Sequence, residues 1–278
     1  MESPVGIAVV GDDVWVASAR GNAVARIDAE TLQVTATVDV GDTPLRLVSD
    51  GTLLWVSVFA EDTVVAVDPL TSEVVITVAL AGQPEGLAVG FDSLWVVRQQ
   101  ARQLTRLAPD GAVQASYPLG EEPRLVAVSD TYVFASNFGD GTVTRLDPAS
   151  GELTTSGELC EGAQGLAAAT DVLWVTCTAQ GRLLAVDPED LSVTGSLDLP
   201  DEPDAVHIID DVVWVAQARG PAMVRIGGDA NAPNVELRLP FGTAGGLADR
   251  ANVDFVSYEG RLWLTALQSD AVLVGAPA

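Results

Sequence analysis

Leu94-Trp95-Val96 decides how this sequence is read, because the same short apolar step returns at a fixed distance along the chain. It stands again as Val14-Trp15-Val16, Leu54-Trp55-Val56, Leu173-Trp174-Val175, Val213-Trp214-Val215 and Leu262-Trp263-Leu264, and as Val133-Phe134-Ala135 with phenylalanine in the tryptophan position. The aromatic positions are 15, 55, 95, 134, 174, 214 and 263, in steps of 40, 40, 39, 40, 40 and 49. A sustained period near 40 residues is the mark of a repeat architecture and outranks any local motif.

The register holds away from the aromatic residue. Eleven residues before it stand Pro4, Pro44, Pro84, Pro123 and Pro203, with Ala163 and Asn252 as exceptions. Thirteen residues after it stand Asp28, Asp68, Asp147 and Asp187, the last three followed by proline. Within one repeat, Gly86 to Val89, Leu94 to Val97, Leu104 to Leu107 and Val113 to Leu119 read as four short strands. They are separated by Phe91-Asp92-Ser93, a polar connection at Gln99 to Arg102, and a Pro109-Asp110-Gly111 turn. No segment keeps a 3.6-residue apolar period, so almost no helix is expected. Four-stranded antiparallel meanders at this period are blades of a β-propeller, all-β and here seven-bladed. Tryptophan on the second strand fills the wedge between blades. Asp-Pro closes the hairpin between strands three and four, the carboxylate capping backbone N–H groups and proline holding φ.

The last repeat is irregular. Its longer step places about nine extra residues within Thr243 to Ala251, and after the strand Ala271 to Val274 the chain stops at Ala278. A three-stranded last blade is expected, closed on blade one by side-chain packing and leaving an edge strand open. The repeat runs from end to end, so residues 1–278 are read as a single domain.

Composition narrows the partners. The chain has 39 acids against 14 bases, a net charge of −25, and every base is arginine. Such a surface repels phosphate backbones and anionic headgroups, so neither nucleic acid nor membrane contact by this segment is expected. Hydrophobic content is 48%, without any long uninterrupted apolar run. Met1-Glu2-Ser3-Pro4 has neither a basic nor an apolar segment, so it is not a signal peptide. The segment reads as a domain excised from a longer protein, and as a monomer in isolation.

Pro84-Glu85-Gly86-Leu87-Ala88-Val89, Leu94-Trp95-Val96, Val143-Thr144-Arg145-Leu146-Asp147-Pro148 and Ser150-Gly151 resemble the YVTN-type propeller repeat. The wider group includes NHL-like propellers, virginiamycin B lyase-like proteins and extracytoplasmic sensor domains of bacterial Ser/Thr protein kinases. The resemblance spans nearly the whole chain. It implies the propeller fold, and roles that vary widely across the group.

Two registers point to the mouth of a propeller's central channel. The residue after the proline position gives Glu85, Arg124, Gln164 and Asp204, where other blades hold Val or Leu. The third residue after the aromatic position gives Arg98, Asn137 and Gln217, with Arg46 and Asp254 one residue off the ring. Convergent polar groups at a concavity mark a binding site for a small molecule or peptide. The bland alternative is mutual neutralisation of acids and bases on a solvated rim.

Catalytic chemistry finds little support. His207 is the only histidine, and a lone histidine is more often structural. The virginiamycin B lyase-like enzymes use a histidine and metal-binding acids, so one histidine without a matching cluster puts that activity in doubt. The turns at Asp140-Gly141 and Gly228-Asp229 each offer a single acid, short of a calcium loop. No catalytic set, metal or cofactor is expected. Arg26, Arg106, Arg145 and Arg225, eleven residues after the aromatic position, read as structural: stems over a neighbouring blade, guanidinium paired with an acid. Cys160 and Cys177 fall at strand ends 17 residues apart. Either they form a disulfide, implying an oxidising compartment, or they are two buried thiols; the disulfide is the favoured expectation. The expected function is a non-catalytic extracytoplasmic ligand-binding or sensor module, such as a bacterial receptor-kinase ectodomain. A lyase- or hydrolase-like enzyme and a protein-interaction scaffold are the alternatives.

Overall fold

The computed structural model describes residues 1–219, 222–241, 253–266 and 270–275. The insertion expected at Thr243 to Ala251 lies outside them, as does the register residue Asn252. The described strands form seven antiparallel sheets, each a simple meander in chain order. Six sheets have four strands and the last has three, with no helix among the described residues. The fold is a seven-bladed β-propeller.

The chain divides into two compact units. The first, Met1–Tyr117 with Val253–Ala278, holds blades one, two, three and seven. The second, Pro118–Asn252, holds blades four, five and six.

In the first unit Trp15, Trp55 and Trp263 each pack on the neighbouring blade. Trp15 clusters with Leu47, Leu54, Val56 and Val65 of blade two, and Trp55 with Leu94, Val96 and Leu107 of blade three. Trp263 of blade seven lies among Ile7, Val14, Val16 and Ile27 of blade one. Blade seven therefore closes on blade one by side-chain packing. Polar contacts support the closure. Thr265 Oγ1 donates to the Val5 carbonyl at 2.8 Å, the Tyr258 hydroxyl to Asp12 at 3.1 Å, and the Ser3 N–H to Asp270 at 2.7 Å. In the second unit Phe134 packs on Leu166, Leu173 and Val175, and Trp174 on Val206, Val215 and Val224.

Burial falls outward along each blade. Second strands such as Leu54–Val58 are buried throughout, whereas fourth strands such as Glu73–Ala79 are largely exposed. The first strand lies innermost and is buried although it too has a single neighbouring strand, whereas the fourth lies outermost and meets solvent.

The Asp-Pro hairpins form as read. Asp68 Oδ1 accepts the N–H groups of Leu70 and Thr71, and Asp147 Oδ1 those of Ala149 and Ser150. The register arginines lie opposite the aromatic position, Trp15 pairing with Arg26 and Trp95 with Arg106. Their guanidinium carbons sit 5.9 and 5.2 Å from the ring centroids, a cation–π contact that the expected acid pairing omitted. Arg26 adds the acid, Asp13 at 2.5 Å, and reaches the Pro69 carbonyl of the next blade. Arg145 does the same to the Pro188 carbonyl.

Cys160 and Cys177 form a disulfide with Cα atoms 5.9 Å apart. One expectation needs correction here. The fourth strand of blade four is only Leu153–Thr155, so Cys160 lies in the loop beyond it and does not end the strand. The chain leaves the ladder after Thr155, at Ser156 and Gly157, where the N–H of Ser156 still reaches the Val143 carbonyl.

Candidate functional site

A β-bulge builds the candidate site. In blade three Pro84 pairs with Arg98, but pairing resumes at Leu87 with Val96, one residue out of step. The same slip follows Pro4, Pro44, Pro123, Ala163 and Pro203. The residue after each of these positions sits in the bulge, where a side chain is re-aimed away from the pleat. The bulge also frees an N–H, and a hydroxyl two residues after the aromatic position takes it. Ser57 accepts from Arg46, Ser136 from Leu125, Thr176 from Gly165 and Thr265 from Asp254, at 2.7 to 3.1 Å.

In the first unit the bulge carries Glu85, which is 2% exposed and accepts from Gln99 Nε2 at 3.1 Å. Arg98, at the end of the paired strand, donates to the Ala81 carbonyl at 3.0 Å and to Gln103 Oε1. Burial pulls the pKa of its guanidinium below the ordinary arginine value. Arg46 is buried, 3.7 Å from the Asp254 carboxylate. These two residues, read as one position off the ring, form an ion pair between blades two and seven.

In the second unit the three first strands Pro123–Val128, Ala163–Ala168 and Pro203–Ile209 lie side by side. Their bulges present Arg124, Gln164 and Asp204 in that order. Arg124 is half-buried, its guanidinium 4.7 Å from the ring centroid of Phe138. Gln164 is 0% exposed, and neither its amide oxygen nor its amide nitrogen has a hydrogen-bond partner. Asp204 is 1% exposed. Gln217 is buried, with its oxygen accepting from Arg238 Nε at 3.2 Å. Asn137 is used by its own blade and the connection leading into it: it accepts from the Gly120 N–H and donates to Thr142 and Thr144.

The candidate residues are thus more buried than a solvated rim implies. Phe138 and Arg238 were missed, although Phe138 directly follows Asn137 and an aromatic at a strand end beside a register arginine was a readable signal. Close packing accompanies the bulges. A Cβ on Gly165 would stand 2.2 Å from the Asp204 carbonyl, so only glycine lets blades five and six approach this closely. Gly165→Ala should cost about 1–3 kcal/mol in denaturant unfolding; an unchanged midpoint would mean that the strands separate freely.

His207 lies mid-strand and pairs with Trp214, three residues beyond Asp204. Asp140 caps its own turn, accepting from the Thr142 N–H and hydroxyl and from the Glu121 N–H. Among the described residues no three His, Cys, Asp or Glu side chains gather as a metal site.

No protein-family model matches the sequence, and no curated protein matches it. Solved structures do. The WD40 repeats of RRP9 superpose with a TM-score of 0.83 at 12% identity, over 96% of this chain and 88% of that one. Virginiamycin B lyase from Staphylococcus aureus gives 0.80 at 14% identity, over 97% and 93%. A streptogramin B lyase structure gives 0.80 at 14% identity, over 95% and 91%. At such identities the likeness is one of fold, shared by an enzyme and by WD40 repeats.

Proposed function

We propose that this propeller is a non-catalytic ligand-binding module working outside the cytoplasm, and that its second unit holds a small zwitterion at the bulges of blades four, five and six. The carrying observation is Gln164. A fully buried amide with no partner costs about 1–3 kcal/mol, and a ligand that supplies both a donor and an acceptor removes that cost. The neighbours set the ligand's charges. Arg124 on one side suits a carboxylate, and Asp204 on the other suits an ammonium. The disulfide supports an oxidising compartment. The resemblance to YVTN-type propellers supports a sensor role, such as the ectodomain of a bacterial receptor kinase. An enzymatic role is the weaker reading, because His207 stands mid-strand opposite Trp214 and not at the bulge.

The test is a thermal-shift screen of free amino acids, with their N-acetyl and amide derivatives as controls. A free amino acid should raise the melting temperature of the native protein more than either derivative. Gln164→Leu should raise stability without ligand by about 1–2 kcal/mol and abolish the ligand's effect. Arg124→Ala should leave folding nearly unchanged and weaken binding by about 1.5–3 kcal/mol. A destabilised Gln164→Leu, or equal ligand binding by native protein and both variants, would remove the basis of the proposal.

A further inference from the structure

We propose a second ligand site in the first unit, a cleft between blades two and three that accepts a small amphiphilic cation. It lies at the strand ends remote from Glu85 and Arg98: Pro84 pairs with Arg98 at one end of the hairpin, and Gly90 with Ser93 at the other. The cleft has a volume of about 530 Å³, within the roughly 300–1,000 Å³ of small-molecule sites. Leu53, Trp55, Val89 and Pro109 give it apolar walls.

Charge selects the sign of the ligand. Asp50 and Asp92 line the cleft, and no arginine does. Burial pushes the Asp50 carboxyl upward, but the N–H groups of Leu53 and Thr52 and the Trp55 indole donate to it, at 2.7 to 2.8 Å. The donors outweigh burial, so its pKa lies below the usual carboxylate value. Arg106 stands behind the wall, its guanidinium against Trp95 and donating to Ser93 Oγ and to the Phe91 carbonyl. The cleft therefore presents Asp50, whose hydrogen-bonding capacity is largely used, and Asp92, beside aromatic and aliphatic surface. A cation that asks for charge and contact area more than for hydrogen bonds fits that chemistry.

Phe91 adds an aromatic ring to the lining, at the turn that borders the cleft. Phe91-Asp92 is a two-residue hairpin turn with φ of 54° and 51°, a conformation that favours Asn and Gly. The equivalent turn in blade one places Gly11 at this position, with φ of 60°, and the one in blade seven is Glu259-Gly260. A bulky aromatic is strained in that region, so the turn holds Phe91 less comfortably than Asn or Gly. Here it sets a ring at the lip of a cleft lined by two carboxylates.

Three matched probes test this: trimethyl(3-phenylpropyl)ammonium, 3-phenylpropanol and 3-phenylpropanoate, titrated while the Trp55 indole N–H resonance is followed by NMR. The ammonium should shift that resonance and bind about tenfold more tightly than the alcohol, and the carboxylate should not bind. Phe91→Asn relieves the turn, so it should fold with an equal or higher melting temperature while losing about tenfold in affinity for the ammonium. Asp92→Asn should weaken the ammonium and leave the alcohol unchanged. Equal binding of the three probes overturns the proposal. So does an unmoved Trp55 resonance, or native affinity in a folded Phe91→Asn.

Discussion

Trp263→Ala is expected to destabilise the protein by about 3–5 kcal/mol, the range for emptying a large aromatic site in a core. Blade seven has only three strands among the described residues, so its hold on blade one rests on this ring more than a four-stranded blade would require. The indole is 1% exposed and its N–H has no hydrogen-bond partner, so its contribution is almost wholly apolar contact with Ile7, Val14, Val16 and Ile27. Trp263→Phe is the informative control. Phenylalanine already fills the same register position in blade four as Phe134, fully buried. It should cost clearly less than alanine. Urea unfolding of the three proteins measures both steps. A loss under about 1 kcal/mol for Trp263→Ala would mean that the polar closure contacts of Thr265, Tyr258 and Ser3 suffice without the ring.

Removing the Cys160–Cys177 bridge is expected to cost about 3 kcal/mol, from the loop entropy of a 17-residue separation. The bond joins the loop after blade four to the second strand of blade five, so the loss should fall on the second unit. Both cysteines are buried, at 4% and 0% exposure, so reductant alone should act slowly on the folded protein. Cys160→Ala/Cys177→Ala measured by urea unfolding avoids that kinetic block. Alkylation after unfolding without reductant should label no thiol. Labelling of two thiols per chain would deny the bond and take away the main support for an extracytoplasmic location.

Trp263 and the disulfide differ in how far they could be read in advance. The aromatic register was legible because each tryptophan marks the same place in a local four-stranded unit. The same holds for the Asp-Pro turns, whose hydrogen bonds span only a few residues. Cys160 and Cys177 could be joined by register, but the strand that was to carry Cys160 ends early. A strand's end depends on pairing with its neighbour, not on its own residues alone.

What the sequence determined by itself was the repeat, the seven blades, the hairpin turns and the residues that occupy equivalent positions. Local periodicity and turn chemistry carry all of these. Tertiary structure alone decided burial at the bulges. It made Glu85, Gln164 and Asp204 nearly inaccessible, paired Arg46 with Asp254, used up Asn137 and left the Gln164 amide without a partner. Those outcomes depend on how closely neighbouring blades approach, as at Gly165 against the Asp204 carbonyl. The cleft beside Phe91 is decided in the same way, because it is the space between two blades and neither forms it alone.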